Sequence, residues 1–127
     1  MEASHFPGDA IATTLHLAAI ADNRVVGCAS YVQNEYEGAP AYQLRGMATD
    51  PDWRGRGVGQ SVLEYAELLL RDDPIRVRWC NARVVALGFY LKQGWQVVSP
   101  EFDIPTAGPH HRMMRRAEHN PERMTAR

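Results

Sequence analysis

Polar and apolar positions alternate along the first third of the chain with the period of strands. From Thr13 to Ile20, Leu15, Leu17 and Ala19 fall on one face and Thr14, His16 and Ala18 on the other. Asp22-Asn23 is a turn signal. Val25–Val32 alternates again and is rich in Val, so 13–32 reads as a hairpin. Gln33–Pro40 is polar and reads as a loop. Residues 1–12, around Pro7-Gly8-Asp9, read as coil or a short turn. Ala41–Thr49 is a third strand with Gly46 inside it. A glycine there marks a bulge or a close approach by another backbone. Asp50-Pro51 stops the strand.

The period then changes. Val58, Val62, Tyr65, Ala66 and Leu69 recur at helical spacing through about Arg71, with Gln60, Glu64, Glu67 and Arg71 on the watery side. After Asp73-Pro74, Ile75, Val77 and Trp79 alternate with Arg76, Arg78 and Cys80, a fourth strand. Asn81 is a good N-cap for a helix over Ala82–Gln93, and Gly94 suits the position past its end. Trp95–Val98 reads as a short fifth strand and, after a loop rich in Pro and Gly, His110–Arg115 as a sixth. The tail from Ala117 is polar. The order β-β-β-α-β-α-β-β predicts one α+β domain over 1–127. Its strand–helix–strand crossover makes the third and fourth strands parallel neighbours.

Composition narrows the function classes. The chain has 127 residues, 45% of them hydrophobic, which suffices for one core. A formal charge of −1 argues against a dedicated nucleic-acid binder. No apolar run approaches the roughly 18 residues of a membrane helix. Cys28 and Cys80 have neither metal-like nor disulfide-like spacing, and a cytoplasmic, reduced protein is the expectation. His110 and His111, adjacent on a strand, point to opposite faces and make a poor metal pair, so no metal is expected. Cys28 and Cys80 read as small core residues, and Arg71, Arg76 and Arg78 as solvated or paired.

The densest chemical signal is Asp52-Trp53-Arg54-Gly55-Arg56-Gly57-Val58-Gly59-Gln60, between a strand and a helix. Backbone N–H groups without Cβ atoms around them can crowd about an anion, the helix N-terminus adds partial positive charge, and Arg54 and Arg56 add full charges. The natural guest is a phosphate or pyrophosphate; a tight strand-to-helix turn with solvated arginines is the plainer alternative. The phosphate loop of nucleotide hydrolases needs Gly-x4-Gly-Lys-Ser/Thr, and no such Lys is present. The dinucleotide fingerprint GxGxxG, with an acidic residue ending the next strand, does not fit either: the glycines run GxGxG and that strand ends Trp79-Cys80-Asn81.

Arg54-x-x-Gly57-x-Gly59 resembles the pyrophosphate loop of the GCN5-related N-acetyltransferases (GNAT), which bind acetyl-CoA. "LRGMATDP" is similar to that family's splayed central strand, "NARVVALGFYLKQGW" to its second signature helix, and "FDIPTAGPHHRMMR" to the final strand of some bacterial members. The resemblance spans roughly residues 13–116. It implies a mixed, mostly antiparallel twisted sheet with a splayed parallel strand pair, flanked by helices. It implies acetyl-CoA as cosubstrate and transfer of its acetyl group to a primary amine by direct attack. Backbone groups of Met47 and Ala48 would pair with the pantetheine arm as an added strand does. Arg54 and the amides of Gly55, Arg56, Gly57, Val58, Gly59 and Gln60 would hold the pyrophosphate. Asn81 would contact the pantetheine, and Tyr90 would lie near the CoA sulfur as the catalytic hydroxyl, although an aromatic beside Phe89 on an amphipathic helix is also a natural core residue.

A general base is not singled out. Gln43 stands where some members place a carboxylate, and His16, Glu35, Glu37, Glu101, Asp103, His111 or a water chain are the alternatives. The family usually begins with a strand and two helices, and only 12 residues precede Thr13. The expectation is an abbreviated N-terminal region, with an apolar strip of sheet covered in a homodimer. A small-molecule amine is the expected acceptor. A non-catalytic acyl-CoA-binding module and a nucleotide-binding regulatory domain are the competing classes.

Overall fold

The computed structural model describes residues 2–5, by their backbone, and 14–117. Among the described residues eight strands form one sheet: β1 (Glu2–His5), β2 (Thr14–Ala21), β3 (Arg24–Tyr36), β4 (Ala39–Thr49), β5 (Val77–Arg83), β6 (Gln96–Val97), β7 (Phe102–Ile104) and β8 (Gly108–Arg116). Their order is β1-β2-β3-β4-β5-β8-β6, with β7 also on β8. All pairs are antiparallel except β4 and β5. That parallel pair is the one the crossover demands. Its connection carries helix α1 (Val58–Leu69), and helix α2 (Leu87–Lys92) follows β5.

Several local readings are corrected. Residues 2–5 pair with β2 instead of forming coil; edge pairing needs only backbone groups, so no alternation announces it. The coil expected over residues 6–12 and the strand start expected at Thr13 lie outside the described residues. Gln33–Pro40 is not a loop: β3 and β4 pair as far as Tyr36↔Ala39 around Glu37 and Gly38, both at positive φ. Two left-handed residues make a tight hairpin turn that lets a polar ribbon stay paired. Asp22 and Asn23, also left-handed, make the expected β2–β3 turn. Asn81 is not an N-cap. β5 runs on to Arg83, held residue by residue against β8, and a short 3₁₀ turn, Val84–Ala86, precedes α2. The ladder to β8 outweighs one capping side chain. Phe102–Ile104, expected as loop, is the strand β7.

Helix α1 buries Val58, Val62, Leu63 and Ala66 in a core with Leu17, Ala19, Val26, Ala29 and Tyr31. Each large side chain so buried contributes about 1.5–3 kcal/mol. Gly27 on β3 is what lets the start of α1 sit so low, since a Cβ there would collide with Val58 Cγ1. At the other end Arg78, fully buried, donates to both Glu67 carboxylate oxygens at 3.0 and 3.1 Å and to the Ile75 carbonyl at 2.8 Å. This pair ties α1 to β5. The opposite sheet face mixes polar side chains, among them His16, Ser30, Asn34, Gln43 and Arg45, with apolar Val32 and Ala41, which pair with Gln43 and Asn34.

Candidate active site

The bulge predicted at Gly46 is real, and it shapes the site. Cys28 opposes Ala48 and Ser30 opposes Arg45, so one residue of β3 faces Gly46 and Met47 of β4. Gly46 adopts φ 62°, open to glycine at little cost. The bulge turns β4 away from β5, and the ladder between them holds only Tyr42↔Arg78 and Gln43↔Trp79. Beyond those pairs the strands splay into a V. The gap is a cleft of about 820 Å³ lined by both strands and by α2.

Of the residues the sequence proposes, Met47, Ala48, Arg54, Asn81 and Tyr90 all line this cleft. The edge of β4 that faces the gap has lost its ladder, so Met47 and Ala48 offer main-chain groups there. Asn81 presents a side-chain oxygen, Oδ1, that is buried and has no hydrogen-bond partner. Leaving such a group unpaired costs about 1–3 kcal/mol, and a ligand N–H would recover it.

Tyr90 is buried, its ring edge-on to Phe89 and Trp95 with centroids 5.1 and 5.5 Å away. Its hydroxyl donates to Met47 Sδ at 3.6 Å. A thioether is a weak acceptor, so the proton is free for a better one. Burial, with Cys80 beside it as the second cause, pushes this hydroxyl well above the ordinary tyrosine range. It therefore stays protonated at neutral pH. Burial likewise pushes the Cys80 thiol up to about 12, and a buried neutral thiol is no nucleophile. Cys28 is half-buried at the bulge, its Sγ 3.6 Å from the Gly46 carbonyl.

A second groove of about 350 Å³ adjoins the cleft at the start of α1, lined by Arg54, Gly55, Gly57, Val58, Gly59 and Gln60. Gly57 caps the helix at φ 79°. Gly59 has a different reason: a Cβ would come within 2.9 Å of Met47 Cε and 3.0 Å of Phe89 Cζ. The groove thus has first-turn N–H groups with no helical partner, the partial charge of the helix end and the Arg54 guanidinium. Arg56 is not brought in; its guanidinium lies over the Trp53 ring, 4.8 Å from the centroid. The sequence reading missed Lys92 and Phe89, which line the groove from α2, and Arg83, which lines the cleft. Phe89, Lys92 and Gln93 share one helical stripe, a signal already present in the helix expected over Ala82–Gln93.

Acetyl-CoA fits these features: a cationic, amide-rich groove for its pyrophosphate leads into an unpaired strand edge and a buried orphan oxygen for its pantetheine amides. None of the Asp, Glu and His side chains weighed as a base is among the cleft-lining residues described, and no group of three or more metal-binding side chains occurs among the described residues. No described helix is long and apolar enough to cross a membrane.

The family described as "Acetyltransferase (GNAT) domain" matches residues 12–97. A Bacillus subtilis (strain 168) protein named "Uncharacterized N-acetyltransferase YitI" is 36% identical over 100 residues, 76% of this chain and 67% of that protein. An aminoglycoside 6'-N-acetyltransferase solved with coenzyme A has TM-score 0.70 at 15% identity, covering 87% of this chain and 76% of that one. An IAA acetyltransferase from Bacillus cereus ATCC 14579 has TM-score 0.72 at 14% identity, covering 91% and 98%. Identities that low speak for the fold alone. The family match and the Bacillus subtilis relative carry the assignment: the chain belongs to the GCN5-related N-acetyltransferases, a family of acetyl-CoA-dependent acyltransferases.

Proposed function

We propose that this N-acetyltransferase works by direct attack of a small primary amine on the thioester of acetyl-CoA, with Tyr90 serving the leaving sulfur. The observation that carries the reading is the Tyr90 hydroxyl, protonated and weakly engaged, inside the gap between splayed β4 and β5. Bound acetyl-CoA supplies the thioester carbon and a thiolate leaving group. Met47 and Ala48 bind and orient it by their main chain, Asn81 Oδ1 accepts from an amide of its arm, and Arg54 with the amides of 55–60 holds its pyrophosphate. Arg56 takes the smallest part, since its backbone N–H donates to the Trp53 carbonyl at 3.4 Å and its guanidinium lies over the Trp53 ring.

The Tyr90 Oη proton stabilises the charge that grows on sulfur. A thiolate whose conjugate thiol titrates near 8.5 cannot readily take the proton of a tyrosine whose value lies above 10, so Tyr90 donates a hydrogen bond and keeps its proton. The proton lost by the amine nitrogen passes to water and balances the one that sulfur regains.

Titration with acetyl-CoA by calorimetry, followed by an acceptor screen read by mass spectrometry, tests this. Acetyl-CoA binding with amine-dependent CoA release is expected. Binding without such release would support a non-catalytic acyl-CoA module instead, and no binding would overturn both. The rest of the reading is a single domain over 1–127, a cytoplasmic location, favoured by the free thiols Cys28 and Cys80, and a homodimer. Exposed Leu68, Val85 and Leu91 favour the last; a monomer by light scattering at micromolar concentration would reject it.

A further inference from the structure

The residues lining the cleft between β4 and β5 fall on both faces of the sheet, and the two sets differ. Cys80 and Ala82 belong to the core on the α1 side. Strand alternation therefore sends Trp79, Asn81 and Arg83 of β5 to the opposite face. Gln43 and Arg45 of β4 lie there too, since Asn34, Gln43 and Trp79 form one hydrogen-bonded chain: Trp79 Nε1 donates to Asn34 Oδ1 at 3.1 Å, and Asn34 Nδ2 donates to Gln43 Oε1 at 2.9 Å. Arg45 closes the chain, donating to the same Gln43 oxygen at 2.8 Å. The pyrophosphate groove occupies the α1 end, so the amine enters from this other face.

Two guanidinium groups stand at that entrance. Arg45 and Arg83 both line the cleft and both are exposed. Neither is ion-paired among the described residues, whereas Arg24, Arg71, Arg78 and Arg115 each have a carboxylate. Arg45 is fixed by a neutral amide, which positions its charge without cancelling it. A third cation, Arg112, pairs across from Asn81 and stacks over Trp79 with its guanidinium 5.4 Å from the ring centroid. The described lining holds no carboxylate that would welcome a polyamine or another polycation.

We propose that the acceptor is an amine bearing an anionic group of its own, a carboxylate or a phosphate, held by Arg45 and Arg83 at this entrance while the amine reaches through to the thioester. The inference rests on the transferase reading above and adds the substrate class. Guanidinium groups bind both anions in a fork. A charged hydrogen bond of this kind contributes about 1.5–3 kcal/mol, so discrimination of about tenfold or more follows.

The test is a panel in four matched arms, each amine scaffold carrying a carboxylate, a phosphate, a neutral carboxamide or a second amine. kcat/KM for an anionic arm should exceed that of its carboxamide by about tenfold or more, and the better anionic arm identifies the group. Arg83→Gln and Arg45→Gln should erase most of that ratio, through KM more than kcat. Arg83→Lys should restore part of it, and acetyl-CoA affinity should stay within about twofold of wild type, because the thioester is held elsewhere. Equal or better turnover of the carboxamide or diamine arm, with acetyl-CoA bound normally, overturns this proposal alone. Failure to bind acetyl-CoA, or to acetylate any arm, overturns the transferase reading and this one with it.

Discussion

Replacing Tyr90 with Phe separates the catalytic role of the hydroxyl from the packing role of the ring. The ring is buried and makes edge contacts with Phe89 and Trp95, and Phe keeps both. The hydroxyl's partner in the free protein is a thioether sulfur at 3.6 Å. Losing so weak a bond should cost less than about 1 kcal/mol, the ordinary net value of a good one. In the transition state the same hydroxyl faces developing negative charge. Removing one preorganised donor from such a site costs about 10²–10³ in kcat, or about 2.7–4 kcal/mol. Thermal unfolding and acetyl-CoA calorimetry should therefore register almost nothing, while CoA release in the presence of an acceptor falls by that factor. The drop should appear in kcat and kcat/KM together, because the bond strengthens only as the thiolate forms. Turnover within about threefold of wild type, well short of that range, would refute the role and leave Tyr90 as a core aromatic.

Other tests reach the groove, the buried pair and the titrating core. Gly57→Val should cost about 1–2 kcal/mol of stability through its left-handed backbone and weaken CoA binding by more than about tenfold by displacing the first-turn amides; unchanged affinity by calorimetry would make the loop a mere turn. Glu67→Ala should destabilise by about 3–5 kcal/mol, since it leaves Arg78 buried without its carboxylate; a loss under about 1 kcal/mol in urea unfolding would contradict that. Burial raises the Cys80 thiol from 9.0 to about 12 and the Tyr42 hydroxyl from 10.0 to about 12. The neutral forms are the ones the fold favours, so this stability is complete below pH 9 and is lost as pH rises from about 9 to 12. Cys80→Ala should flatten the lower part of that decline in melting temperature, and an unchanged slope would remove the thiol from the account.

What could be read from residue order was whatever depends on neighbours in the chain. Alternation located β2, the start of β3, β4 from Ala41 to its end, and β8, and the Asp22-Asn23 turn follows from two residues that tolerate left-handed backbone. Gly46 announced the bulge, and with it the V. Missing were features decided across the sheet. Gln33 to Tyr36 look like loop because their polarity hides a pairing made by backbone alone. Asn81 has the chemistry of a cap, but seven register positions on β8 hold it in a strand. That single misplacement reversed its meaning, from a group satisfied by a helix to one with a buried unpaired oxygen facing the gap. Arg83 could not be assigned to the strand while the helix was thought to begin at residue 82.

The charges around the cleft bear on how the amine loses its proton. None of the carboxylates and histidines weighed as a base lines the cleft among the described residues. The groups that do face it are Arg45 from β4, Arg54 from the loop, Cys80 and Arg83 from β5, and Tyr90 from α2, with Lys92 in the adjoining groove. Tyr90 and Cys80 are held neutral by burial, so the field there is positive. Such a field disfavours an ammonium and lowers its pKa, each unit corresponding to about 1.4 kcal/mol of repulsion. One anionic group on the acceptor would be outweighed by Arg45 and Arg83 together, so its tendency to hold the amine charged is cancelled. Arg45 and Arg83, which lie apart from the pyrophosphate groove, would thereby favour the neutral amine that the proposed attack requires, with water as carrier for the proton.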